Sequence, residues 1–108
     1  MASTRYPPLV RDELDAKQRD YYDKLDVGVP MSHGPNGELF TYKDSASGAF
    51  LGPYGFWMHT PGYGMANLPV NKELSALPII PTLREVAILV VAAHHGTAYV
   101  TYCHDGTA

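Results

Sequence analysis

Residues 82–104 read TLREVAILVVAAHHGTAYVTYCH and hold the longest apolar run of the chain, its only cysteine, Cys103, and three of its five histidines. Thr82 followed three residues later by Glu85 is the pattern of a capping box, in which hydroxyl and carboxylate satisfy open amides, so a helix is expected to begin near Leu83. From 86 to 93 every residue is apolar. A helix with no polar face in its middle has to be enclosed by other elements, which makes this the expected core helix. The run is well short of the roughly 20 apolar residues that cross a bilayer, so no membrane partner is expected. Gly96 breaks the pattern, and Ala98, Tyr99, Tyr102 and Cys103 then recur at helical spacings, which predicts a second helix folded back on the first.

Glu85 lies eleven residues before Gly96 and His104 eight after it. At about 1.5 Å rise per residue, antiparallel arms leave the two roughly 5 Å apart along the axis, a gap that side chains bridge. A carboxylate and an imidazole in an apolar setting can work as an acid and base pair. Glu85 and His104 are therefore the candidate catalytic residues. The competing reading of the same residues is a capping glutamate and a solvated histidine.

The 108 residues suit one small domain. With 45% hydrophobic and 18% charged residues the chain is expected to fold rather than stay disordered. Its net charge of -3 and pI near 5.9, with no basic patch, argue against electrostatic capture of nucleic acid. One cysteine excludes an intrachain disulfide and any dithiol motif, and fits a reducing compartment. The opening MASTRYPPLV lacks the basic segment and apolar stretch of a secretory signal, so a cytoplasmic location is expected. Adjacent His94 and His95 would point about 100° apart on a helix and cannot easily serve one ion. Neither a metal nor a cofactor is expected.

Residues 1–8, with two adjacent prolines, read as an irregular arm. Asp15 and Gln18 then form a second capping box, and Leu14, Tyr21, Tyr22 and Leu25 give the helix that follows one apolar stripe. Six of the eleven acids fall between 12 and 26, on the solvated face of that helix. Residues 27–43 read as a loop punctuated by turns, Asn36-Gly37 being the clearest, with Phe40 and Tyr42 as anchors. From 45 to 71 there is no charged residue, but five glycines, three prolines and five aromatics. A short helical piece within 52–61 would place Phe56, Trp57 and Met58 against the core helix. Core packing, a pocket lining and an oligomer interface all fit this segment. Trp57, His59 and Tyr99 are the candidate substrate-binding residues. One or two helical turns are expected at 71–77, before Pro78 and Pro81.

With these residues read, the chain resembles the carboxymuconolactone decarboxylase-like family, within the alkylhydroperoxidase D-like superfamily. The resemblance is carried by YPPLVRDELDAKQRDYYDKL, LGPYGFWMHTP and LREVAILVVAAHHGTAYVTYCH, in that order. It implies an all-α helical bundle with a helical hairpin at its centre, normally continued by further helices. Here four residues follow His104, so the bundle is expected to be incomplete at its C-terminus and completed by homo-oligomerisation. The redox branch of the family carries a glutamate, eleven residues, C-x-x-C, three residues and a histidine. Glu85 and His104 match its ends, while Thr97 and Val100 occupy the cysteine positions. In the non-redox branch a glutamate commonly stands where Val100 does. The resemblance thus implies a non-redox enzyme that transfers protons through Glu85 and His104 on a small oxygenated molecule, a lactone or keto acid. Two alternatives stay open: a non-catalytic small-molecule-binding or scaffolding subunit, and thiol-dependent antioxidant activity through Cys103.

Overall fold

The computed structural model describes residues 5–32 and 39–105, and the described residues are helical throughout their regular structure. After a single 3-10 turn, Arg11–Glu13, come helices α1 (Ala16–Ser32), α2 (Gly52–Trp57), α3 (Pro61–Ser75), α4 (Pro81–His95) and α5 (Ala98–Asp105). The all-α expectation holds. The expected turn at Asn36-Gly37 and the first four residues of the arm lie outside the described residues.

α1 starts as its sequence specifies. The Gln18 amide donates to Asp15 Oδ1 at 2.8 Å, and Gln18 Oε1 accepts from the Asp15 amide at 2.9 Å, closing the box. Its apolar stripe is the core: Leu14, Tyr21, Tyr22 and Leu25 are all buried, Tyr21 to 1% exposure. The helix does not stop at Leu25, however, but runs on through Gly28 and Pro30, where a loop was expected. Val29 explains the extension, because it lies one turn beyond Leu25 on the same face and is buried in the same cluster. Packing outweighs the weak local propensity of Gly28 and Pro30.

α3 is likewise longer than the one or two turns expected near 71–77. Pro61 opens it at a position where a missing amide costs nothing, and it continues past Gly62, Gly64 and Pro69. Gly64 lets α3 approach α1 closely, since a Cβ there would lie 2.5 Å from the ring of Tyr21. Met65 and Leu68 pack beside it against the α1 cluster.

Between α1 and α2 the chain doubles back through an isolated antiparallel bridge, Lys43 to Phe50. This delivers Phe50 into the core, edge-on to Tyr22 at 4.9 Å, while the Tyr22 hydroxyl donates to the Gly48 carbonyl at 2.8 Å. The Lys43 ammonium sits 5.1 Å over the Tyr22 ring and 2.6 Å from Asp26. Met58 completes the cluster and Gln18 donates to its carbonyl. The expected packing of Phe56, Trp57 and Met58 against the 82–95 helix is corrected here. Met58 is buried against α1, and Phe56 is exposed.

The core-helix expectation for α4 also needs correction. Only Ala92 of α4 is buried, and Leu83, Val86, Val90 and Val91 are exposed, Val90 to 63%. The core lies instead on α1, which buries long aromatic side chains where α4 offers short aliphatic ones. α4 packs mainly against α5.

Candidate active site

The α4–α5 hairpin turns at Gly96, whose φ of 65° is the left-handed conformation that glycine adopts without a Cβ penalty. Thr97 N donates to Ala92 O at 3.0 Å and Gly96 N to Ala93 O at 3.3 Å, a Schellman closure that satisfies the last carbonyls of α4. With α5 beginning two residues later, the two helices run back to back. Glu85 and His104 meet across them: His104 Nδ1 lies 2.5 Å from Glu85 Oε2. A carboxylate only accepts, so Nδ1 carries the proton and donates it. The glutamate is 13% exposed and the imidazole 34%, placing the pair at the edge of the fold rather than free in water.

The capping role expected of Glu85 is absent. Pro81 occupies the first position of α4 after Ile80, so the helix starts one residue before Thr82, and the Ile80 at its N-cap offers no side-chain capping bond. Thr82 is already inside the helix. Glu85 is released from the N-terminus and reaches across to α5.

Beside the pair is a cavity of about 110 Å³. Tyr99, Val100, Cys103 and His104 of α5 form one side of it, consecutive turns of one helix face. Phe40, with Pro53 and Tyr54 at the start of α2, forms the other. Two contacts hold these sides together. The Thr41 amide donates to the Tyr102 hydroxyl at 2.8 Å, and the Tyr99 ring lies directly on Gly52, whose φ of 61° and lack of a side chain leave the space. The Tyr99 hydroxyl is buried and has no hydrogen-bond partner among the described residues. The Cys103 thiol is near enough to bear on its ionisation without a well-formed hydrogen bond to it.

Burial, with smaller effects from Cys103, pushes the Tyr99 hydroxyl well above the ordinary phenol range and raises that of Tyr54. The Cys103 thiol is raised by burial too, against a weaker opposing effect of the Tyr99 hydroxyl. A raised thiol moves thiolate formation to higher pH, so alkylation of Cys103 by iodoacetamide in the native protein should rise only above the pH at which an ordinary thiol reacts. The unfolded protein should react at the ordinary pH. Fast native labelling at neutral pH would contradict this placement. As the one cysteine of the chain, this thiol also has no intramolecular resolving partner with which to cycle through a disulfide.

Of the residues singled out from sequence, Glu85, His104 and Tyr99 come together. Trp57 and His59 do not join the cavity wall. Trp57 packs against the core cluster between Tyr54 and Tyr63, and His59 Nε2 donates to the Pro7 carbonyl at 2.7 Å with Tyr6 edge-on at 5.4 Å. His59 fastens the N-terminal arm. The wall residues that the sequence reading did not single out for binding are Phe40, Pro53, Tyr54, Val100 and Cys103. Pro53 and Tyr54 lie in the uncharged 45–71 stretch, whose reading as a pocket lining was the available signal. His94 and His95 meet edge-on at 4.9 Å, and among the described residues no three metal-ligating side chains gather. No described helix is long and apolar enough to cross a membrane.

No protein-family model, no curated protein and no solved structure matches the chain.

Proposed function

We propose that the chain is a non-redox acid–base enzyme of carboxymuconolactone decarboxylase-like type, acting on a small oxygenated molecule, a lactone or keto acid. The observation that carries this reading is the 2.5 Å contact of Glu85 with His104, the member of the pair that lines a small, mostly apolar cavity. With Nδ1 held by the carboxylate, the ring is oriented and any proton it exchanges with a ligand passes through Nε2. His104 takes a proton from the carbon next to the substrate carbonyl, and the C–H electron pair moves into the carbonyl to give an enolate. Glu85 stabilises the imidazolium that results. The proton then returns to a different carbon, which isomerises the substrate, or the same electron sink accepts the pair released when a carboxyl group leaves as carbon dioxide. The cavity is well below the roughly 300–1,000 Å³ of pockets for drug-sized ligands, which suits so small a substrate.

The test is the isomerisation of α-angelica lactone to its conjugated isomer, which needs only removal of one proton and its return elsewhere. Formation of the conjugated product is followed by ultraviolet absorption. Catalysis that depends on both Glu85 and His104 supports the proposal, and product formation no faster than in buffer contradicts it.

A second reading, that copies of the chain associate, rests on a separate observation. Leu83, Val86 and Val90 form an exposed apolar stripe on α4, and Val70, Leu74 and Leu77 a second one on α3 and just beyond it. A hollow of about 470 Å³, lined by Ile88, Val91 and Val100 among others, lies along the hairpin and contains neither Glu85 nor His104. It adds the exposed Val91 to the apolar surface of α4 and meets the smaller cavity at Val100. Of the aromatics in the 45–71 segment, Phe50 is sealed in the core, while Phe56 and Tyr63 are exposed and remain available to an interface. Sedimentation velocity at micromolar concentration should show a species larger than a monomer, and Val86→Glu combined with Val90→Glu should return it to monomer. A wild-type protein that sediments as a stable monomer would contradict association.

A further inference from the structure

The acid–base reading leaves two substrate classes open, a neutral lactone and an anionic keto acid, and the cavity wall distinguishes them. Among the described residues that line it there is no lysine or arginine. Among those described wall residues His104 is the one able to carry positive charge, and that charge is already matched by Glu85 at 2.5 Å. In the state competent to accept a proton, with His104 neutral, the pair carries a net charge of about -1, and a carboxylate brought beside it meets a like charge. Arg84, next to Glu85 on α4, does not line the cavity, and Lys43 is held by Asp26 at 2.6 Å.

The wall's own acids give an independent sign. Tyr54, Tyr99 and Cys103 are three groups that become negative on ionising, and burial pushes all three towards the neutral form. A ligand carboxylate entering the same space would meet the same desolvation, with no lysine or arginine among the described wall residues to offset it. We infer that the cavity takes an uncharged carbonyl compound, a small lactone or ester, and rejects the corresponding free keto acid. This inference rests on the acid–base reading of Glu85 and His104 and narrows it.

Three probes separate charge from shape: α-angelica lactone, the levulinate anion that its ring opening yields, and methyl levulinate, which is open-chain but neutral. Saturation-transfer difference NMR titrations on the full chain near neutral pH should show saturable binding of the lactone and the methyl ester. Levulinate should bind at least about tenfold more weakly than either. Val100→Lys places an ammonium at the wall on a half-exposed position where a long side chain can keep its head hydrated, and it should strengthen levulinate binding by about tenfold. Levulinate binding as tightly as the lactone to the wild-type protein overturns the inference, and so does failure of all three probes to saturate. The two claims fail separately. Strong levulinate binding together with isomerisation that needs His104 removes the inference and leaves the acid–base reading, whereas isomerisation indifferent to His104 removes the reading itself.

Discussion

Glu85→Gln and His104→Ala should each lower α-angelica lactone isomerisation by about 100-fold or more while leaving the fold intact, because general acid–base catalysis contributes on the order of 100- to 10,000-fold. For His104→Ala the base is simply gone. Glu85→Gln is the more informative change, since it keeps shape and length and removes only the charge. The new amide can also donate to Nδ1 and hold the ring in the wrong tautomer. Glu85 does not cap α4, which opens on Pro81, so the substitution removes no helix-end bond and the melting temperature should move by only a few degrees. A glutamate with a purely structural role would show the reverse: a clear fall in melting temperature with turnover per folded molecule unchanged. Circular dichroism melts and initial rates on the same preparations decide between them.

A large loss of stability should come from Gly64→Ala. A Cβ at this position would sit 2.5 Å from the ring of Tyr21, and that ring, 1% exposed at the centre of the α1 cluster, has nowhere to swing. Overpacking of a closed core costs about 1–3 kcal/mol, and the upper end is expected where the obstacle is a rigid buried ring. In a domain of this size about 3 kcal/mol corresponds to a fall of roughly 12–24 °C in melting temperature. Gly28→Ala is the control. It lies on the exposed side of α1 with nothing within 4 Å of the new methyl group, so it should stabilise the helix by about 0.5–1 kcal/mol. Opposite signs for the same chemical change would locate the α1–α3 contact, and equal effects would contradict it. Tyr21 adds a pH dependence. Burial, with a smaller contribution from Tyr54, pushes its hydroxyl up to about 12 from an ordinary 10.0. The neutral phenol is thus favoured in the folded state, and its contribution to stability is intact below about pH 10 and lost as pH rises towards 12.

What the sequence made legible was local. Asp15 and Gln18 are three residues apart and close the box on each other's amides, a local pairing that the distant bond from the Gln18 side-chain amide to the Met58 carbonyl leaves in place. The α4–α5 hairpin was legible because one glycine at its turn reverses the chain, and the spacing of Glu85 and His104 about Gly96 then brings their side chains together. The misreadings arose where a distant partner outweighed a local signal. Gly28 and Pro30 looked like loop because the burial of Val29 beside Leu25 was invisible. Gly64 looked like part of an irregular stretch, whereas its missing side chain serves the ring of Tyr21, more than forty positions earlier. Thr82 and Glu85 had the spacing of a cap, but Pro81 had already begun the helix. The far wall of the cavity could not be read at all from residues 82–104. Phe40 and Tyr54 reach it only because the chain doubles back at Lys43 and Phe50 and then seats Gly52 under Tyr99.

The contact of Glu85 with His104 is the centre of this account, and it can be measured without any substrate. Long-range nitrogen–proton correlation NMR on histidine-labelled protein reports which ring nitrogen of each neutral imidazole carries the proton, and His104→Ala identifies the signal. For His104 the result expected is a proton on Nδ1, the tautomer that a carboxylate acceptor at 2.5 Å selects, with that preference lost in Glu85→Gln. A proton on Nε2 in the wild-type protein, or a pattern unchanged by Glu85→Gln, would contradict it.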